Sequence, residues 1–154
     1  MSEYNELLRE AYRGEIFGQT LFGALADKQP DEERREKLRA LETLEARTAQ
    51  SLRRLLEDAQ ITDLDEAGAR KDGVDLAAAI DPEDWNTFVT GLKGALPPYL
   101  ASFERLREVS ARPDPALDAL VNHEIAIDRF TDLELAGAGR DALKPITDHL
   151  RTPV

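Results

Sequence analysis

Apolar residues recur every three or four positions through most of this chain, and no stretch alternates apolar with polar side chains as a half-buried strand would. That period gathers the apolar side chains of each segment onto one helical face, so an all-α fold is expected. Ala, Leu, Glu and Arg dominate, which suits helix and not sheet. With 154 residues the chain fits one domain, residues 1–154, whose core needs no covalent staples.

Caps and breakers divide the chain into segments. Ser2 is placed to cap a first helix running to about residue 27, with the seam Leu8, Ala11, Glu15, Gly18, Phe22 and Leu25. Pro30 stops it, and Asp31-Glu32-Glu33 opens a second helix to about residue 59, with the seam Leu38, Leu41, Glu45, Thr48, Leu52 and Leu55. Residues 60–80, broken by Asp63, Asp65, Gly68, Asp72 and Gly73, read as a long crossover with one short helix. Asp81 and Pro82 read as the cap and first position of a third helix, with the seam Phe88, Leu92, Ala95, Tyr99, Phe103 and Leu106. Pro97-Pro98 is expected to kink or break that helix. Asp114-Pro115 repeats the start signal for a fourth, roughly 114–136, through Leu117, Leu120 or Val121, Glu124, Ile127 and Thr131. Gly137 and Gly139 end it, and a short tail helix near 141–150 meets Pro145. The sum is a four-helix bundle with a long connection between its second and third helices.

The formal net charge is −11, from 31 acidic and 20 basic residues, a balance that repels phosphate backbones and anionic lipid. Neither a nucleic-acid nor a membrane partner is expected. Without cysteine there can be no disulfide, thiolate metal site or cysteine nucleophile. The first residues, Met1 to Glu6, carry no basic and apolar regions of a signal peptide, and a cytoplasmic location is the expectation.

One glutamate interrupts the apolar stripe in each of three helices: Glu15, Glu45 and Glu124. A buried, unpaired carboxylate is costly, so three of them imply a shared cation or a hydrogen-bonded polar layer. They could instead snorkel at the stripe's edge or pair with Arg47 or Arg129. His123 lies about 100° round the helix from Glu124 and reads as a second-shell or interface residue, or an extra ligand if its helix turns inward. Asp128, one turn on, lies nearer the edge, His149 reads as exposed, and Trp85 as an anchor of the core. Gly14, Gly18 and Gly23 fall near one side of the first helix and imply close approach by another helix or a ligand. Phe17, Leu21 and Phe22 beside them are core, or part of an oligomer face.

Segment 11–56, from Ala-Tyr-Arg-Gly-Glu-Ile-Phe-Gly to Ser-Leu-Arg-Arg-Leu-Leu, resembles the first half of a ferritin-like or rubrerythrin-like bundle. Segment 88–137 resembles a weaker copy of it, with His123-Glu124 where the last helix would present its carboxylate. The resemblance implies two helix pairs, each offering a Glu and then a Glu-x-x-His to a di-iron centre. Here Thr48 and Ile127 stand at the expected histidines and Leu92 at the expected glutamate. Half of that ligand set is therefore missing. The implied function is that of an interaction or structural protein, a ferritin-like bundle with a degenerate metal site, assembled as a homodimer. One alternative is a single divalent ion (iron, manganese or zinc) on Glu15, Glu45, Glu124 and His123, with redox or storage-related activity. Another is a small apolar ligand beside Pro97-Pro98. No enzyme activity is assigned.

Overall fold

The structure, a computed structural model, describes residues 1–153. Its order is α1 (Glu3–Lys28), α2 (Glu32–Asp58), α3 (Glu66–Ala79), α4 (Trp85–Val109), α5 (Pro115–Leu135), a short 3-10 helix (Gly139–Leu143) and α6 (Lys144–Leu150), with no strand among the described residues. Three starts follow the capping residues. Ser2 Oγ accepts the Asn5 N–H at 3.1 Å, Asp31 Oδ1 that of Arg34 at 2.9 Å, and Asp114 Oδ1 that of Ala116 at 2.8 Å. Each satisfies an amide that the first helical turn leaves free.

Two segments differ from expectation. Asp81 does not cap α4; its carboxylate accepts the Glu83 N–H at 2.9 Å and its carbonyl that of Asp84 at 3.1 Å, closing a separate turn, and α4 starts at Trp85. An aspartate before proline serves a turn as readily as a helix cap. Pro97 and Pro98 do not break α4, which runs through both. They lie on its exposed side with Gly94, so water can take carbonyls that lose an amide partner there.

The four long helices form a closed ring. α1 packs on α2, α2 on α5, α5 on α4 and α4 on α1, while the pairs α1–α5 and α2–α4 make no close backbone contact. The chain from α2 to α4 therefore crosses to the opposite corner, and α3 lies on this path, packed on α1. Gly73 lets α3 approach: a Cβ there would sit 2.9 Å from the Phe17 carbonyl oxygen and 3.1 Å from the Leu21 nitrogen.

The seams of α1, α2 and α5 are buried throughout, glutamates included. The apolar core is in two parts. One holds Leu8, Tyr12, Leu52, Phe103 and Leu117; the other holds Phe22, Leu38, Leu41, Phe130 and Ile146. Glu15, Glu45, His123 and Glu124 lie between these two parts along the helices. On α4, Val89 and Leu96 are buried, whereas Ala95 and Tyr99 of the expected seam are exposed.

A second charged group ties α2, α4 and α5 together in the lower core. Lys37 is fully buried, with Nζ 2.6 Å from Glu134 Oε2 and 3.1 Å from Glu33 Oε2, and Glu134 Oε1 accepts the Trp85 Nε1–H at 2.9 Å. Removing Glu134 leaves the fully buried Lys37 charge with Glu33 alone, whereas removing Lys37 leaves a Glu134 that is partly exposed and still accepts from Trp85. Glu134→Ala is expected to lower stability by about 3 kcal/mol in urea unfolding, and Lys37→Met by clearly less.

Candidate metal centre

Glu15, Glu45 and Glu124 are 2%, 6% and 5% exposed, and His123 is completely buried. The carboxylates come in through the three-four repeat of their helices. His123 comes in because α5 is covered on more than one side: α4 and α2 flank it, and the 3-10 helix and α6 pack on it as well. Adjacent positions 123 and 124 can then both be interior. The histidine is thus at the centre of the cluster and not at an interface or in an outer layer.

Its orientation is set by the backbone. His123 Nδ1–H donates to the Leu120 carbonyl one turn earlier, so in the neutral ring Nε2 carries the lone pair. Nε2 faces Glu15 Oε2 at 3.1 Å, Glu124 Oε2 at 3.4 Å and Glu45 Oε2 at 3.7 Å. Beyond these contacts with one another, neither His123 Nε2 nor Glu15 Oε2 has a hydrogen-bond partner. Acceptors facing acceptors in a dry core repel, unless a proton or a cation stands between them.

Ligand atoms of Glu15, His123 and Glu124 lie within 4.8 Å of one another, and together these three could hold a metal ion. Donors bound at about 2.1 Å would be about 3.0–3.4 Å apart at octahedral or tetrahedral angles, which the contacts of 3.1 and 3.4 Å match. Backbone donation from the far ring nitrogen is also what a ligating histidine requires. Glu45 approaches the histidine but stands outside this mutual set. Gly18 makes room for it: a Cβ there would meet Glu45 Cδ at 3.0 Å. A Cβ on Gly14 would in turn lie 3.7 Å from the Tyr99 ring.

No lysine or arginine pairs with the three glutamates among the described residues. Arg47 donates to the carbonyls of Leu150 and Thr152, and Arg129 is exposed. Asp128 binds Lys93 at 3.0 Å on the surface, outside the cluster. Thr48 Oγ1 donates to the Leu44 carbonyl at 2.8 Å and is not free to ligate. His149 is half-buried, not exposed as expected; burial, then the charges of His123 and Arg47, pulls its pKa down.

Leu92 and Ile127, at positions where the resemblance would put ligands, instead line a cavity of about 520 Å³ between α1 and α4. Glu15, Glu45 and Glu124 line it too. With the geometry in hand, comparison with known proteins adds no family: no family model, no curated protein and no solved structure matches the chain.

The cluster holds its protons tightly. Burial alone would lower the His123 pKa, but the charges of Glu15 and Glu124 and the hydrogen bonds to Glu15 and the Leu120 carbonyl push it up to about 9. Burial, helped by the charges of Glu15 and Asp128 and opposed by that of His123, pushes Glu124 up to about 7. Both groups bind protons more tightly folded than unfolded, so each contributes stability while protonated. For Glu124 that contribution is complete below about pH 4.5 and lost by about 7; for His123 it is complete below about 6.5 and lost by about 9. Metal-free protein should therefore lose stability in urea from pH 5 to 9, less steeply in Glu124→Gln. A divalent ion needs the deprotonated ligands, so the stabilisation it adds should grow over the same range.

Proposed function

We propose that the chain is a single-ion metalloprotein, a ferritin-like bundle in which Glu15, His123 and Glu124 bind one divalent cation and Glu45 stands beside it. The observation that carries this reading is the buried pair His123 Nε2 and Glu15 Oε2, which face each other at 3.1 Å with no other hydrogen-bond partner in the core. An interaction or structural bundle that had lost its ion would gain by satisfying or replacing these groups, since an unpartnered polar atom in a core is costly. Two carboxylates and an imidazole form a hard, mixed oxygen–nitrogen set suited to manganese, iron or zinc. Three ligands from the protein leave further positions for water or another molecule. The ferritin-like part of the reading is supported by the ring of four long helices, the cross-corner connection through α3 and the glutamates of α1, α2 and α5.

Metal analysis of untagged protein, loaded in turn with manganese, iron(II) or zinc, is expected to find close to one ion per chain. Glu15→Gln, Glu124→Gln and His123→Gln should each weaken binding at least tenfold. Glu45→Gln should weaken it less, and Asp128→Asn not at all. An ion present at about 100 times its Kd should add about 2.7 kcal/mol to wild-type stability. Wild-type protein that binds none of these ions, and whose unfolding they leave unmoved, would rule the reading out.

A further inference from the structure

The cavity beside the cluster has the shape and chemistry of a ligand site. Along α4 it extends from Thr87 to Phe103, about 24 Å of helix at 1.5 Å per residue. Its volume of about 520 Å³ falls in the range of small-molecule sites. The walls are apolar side chains of α1 and α4, such as Phe17, Phe22, Phe88 and Leu92, closed by Leu76 and Ile80 at the end of α3. Leu76 and Tyr99, 43% and 42% exposed, stand where it meets solvent.

Its charged side chains are of one sign. Glu15, Glu45 and Glu124 lie on the wall with Phe103, whose ring is 5.8 Å from that of His123, and Asp81 and Asp84 lie toward the start of α4. No lysine, arginine or histidine lines the cavity. A carboxylate or phosphate would meet like charge from every charged side chain of the wall, and the glutamates already balance a divalent ion bound there. An ammonium group would have to share the glutamates with the ion. An uncharged molecule faces neither penalty, and the glutamates on the wall make the cluster end the polar end of the cavity.

We propose that the cavity binds an uncharged apolar molecule, a hydrocarbon chain or ring system carrying one hydroxyl or carbonyl oxygen, with that oxygen at the Glu15–His123–Glu124 end. This rests on the single-ion reading, because the oxygen takes an open position on the ion while the hydrocarbon lies along α4. The Glu15 and Glu124 carboxylates balance the charge of a divalent ion, so a neutral donor completes the shell without adding charge.

Gly91 provides the test. It lines the cavity, and no atom lies within 4 Å of where its Cβ would be. Gly94 is equally open but does not line the cavity. Gly91→Phe should therefore fill the space, and Gly94→Phe controls for the change in helix propensity. Calorimetric titration of cobalt(II)-loaded protein with 1-decanol, decanoate and decylammonium separates the three headgroups. Decanol is expected to bind at least tenfold more tightly than either ion and to change the visible cobalt spectrum. Gly91→Phe should lose decanol binding at least tenfold while keeping its cobalt, and Gly94→Phe should match the wild type. Cobalt-loaded protein that takes no decanol, or prefers decanoate or decylammonium, overturns this proposal and leaves the metal reading standing. Decanol bound with no change in the cobalt spectrum overturns the placement of its oxygen. Protein that takes decanol but no metal overturns the metal reading and the role of the ion here, and protein that takes neither overturns both.

Discussion

The hydrogen bond from His123 Nδ1 to the Leu120 carbonyl determines what the centre of this molecule can be. It holds the imidazole so that its other nitrogen faces carboxylate oxygens contributed by α1, α2 and α5. The core is consequently not continuous: apolar side chains pack at both ends of the ring of helices and a charged layer separates them. Protons can satisfy that layer, and it holds them well above the ranges usual for a histidine and a glutamate. Glu15, His123 and Glu124 could instead share a divalent ion, since the histidine nitrogen already stands 3.1 and 3.4 Å from the two carboxylates.

The cavity follows from a related conflict on α4. Its three-four repeat supplies apolar side chains over a wide arc, more than α5 alone can cover. Val89, Leu96, Phe103 and Leu106 pack into the core, while Leu92 and Tyr99 face the gap toward α1. Gly14 and Gly18 on the opposite wall lack the side chains that would fill it. Gly18 gives its space to the Glu45 carboxylate, and Gly73 lets α3 lie close on α1. Small residues thus serve the charged layer and the approach of α3, and the gap between α1 and α4 stays open.

Much of this was legible in the amino-acid sequence. α1, α2 and α5 follow from their caps and repeats and α4 from its repeat alone, and periodicity by itself places Glu15, Glu45 and Glu124 on the core side. It does not place His123 there, because a single seam per helix leaves its neighbour at 100° outside, whereas α5 is covered from several directions. The apolar and small residues all round α5, Ala116, Val121, Ala126 and Phe130 among them, were the available signal for that wider burial. The extent of α3 was hidden by its two glycines and weak apolar pattern, since it buries only Ala69, Gly73 and Ala77. Pro97-Pro98 misled because a helix tolerates prolines where its freed carbonyls face water, and exposure is a tertiary property. A cavity cannot be read from a repeat: packed and unpacked apolar residues have the same spacing.

The position of the cluster in the ring gives an ion there a mechanical role as well as a chemical one. α1 and α5 stand at opposite corners without close backbone contact, and Glu15 meets His123 and Glu124 across that diagonal. Neighbouring helices are already held by apolar packing, so a link between neighbours would add little constraint. A diagonal link restrains the width of the ring itself, including the gap between α1 and α4 that forms the cavity. Without the ion, the His123 proton facing Glu15 would be the link across that width. Through this geometry, occupancy of the centre would be coupled to the dimensions of the cavity: the ion proposed to receive a ligand's oxygen would also restrain the walls that receive its hydrocarbon.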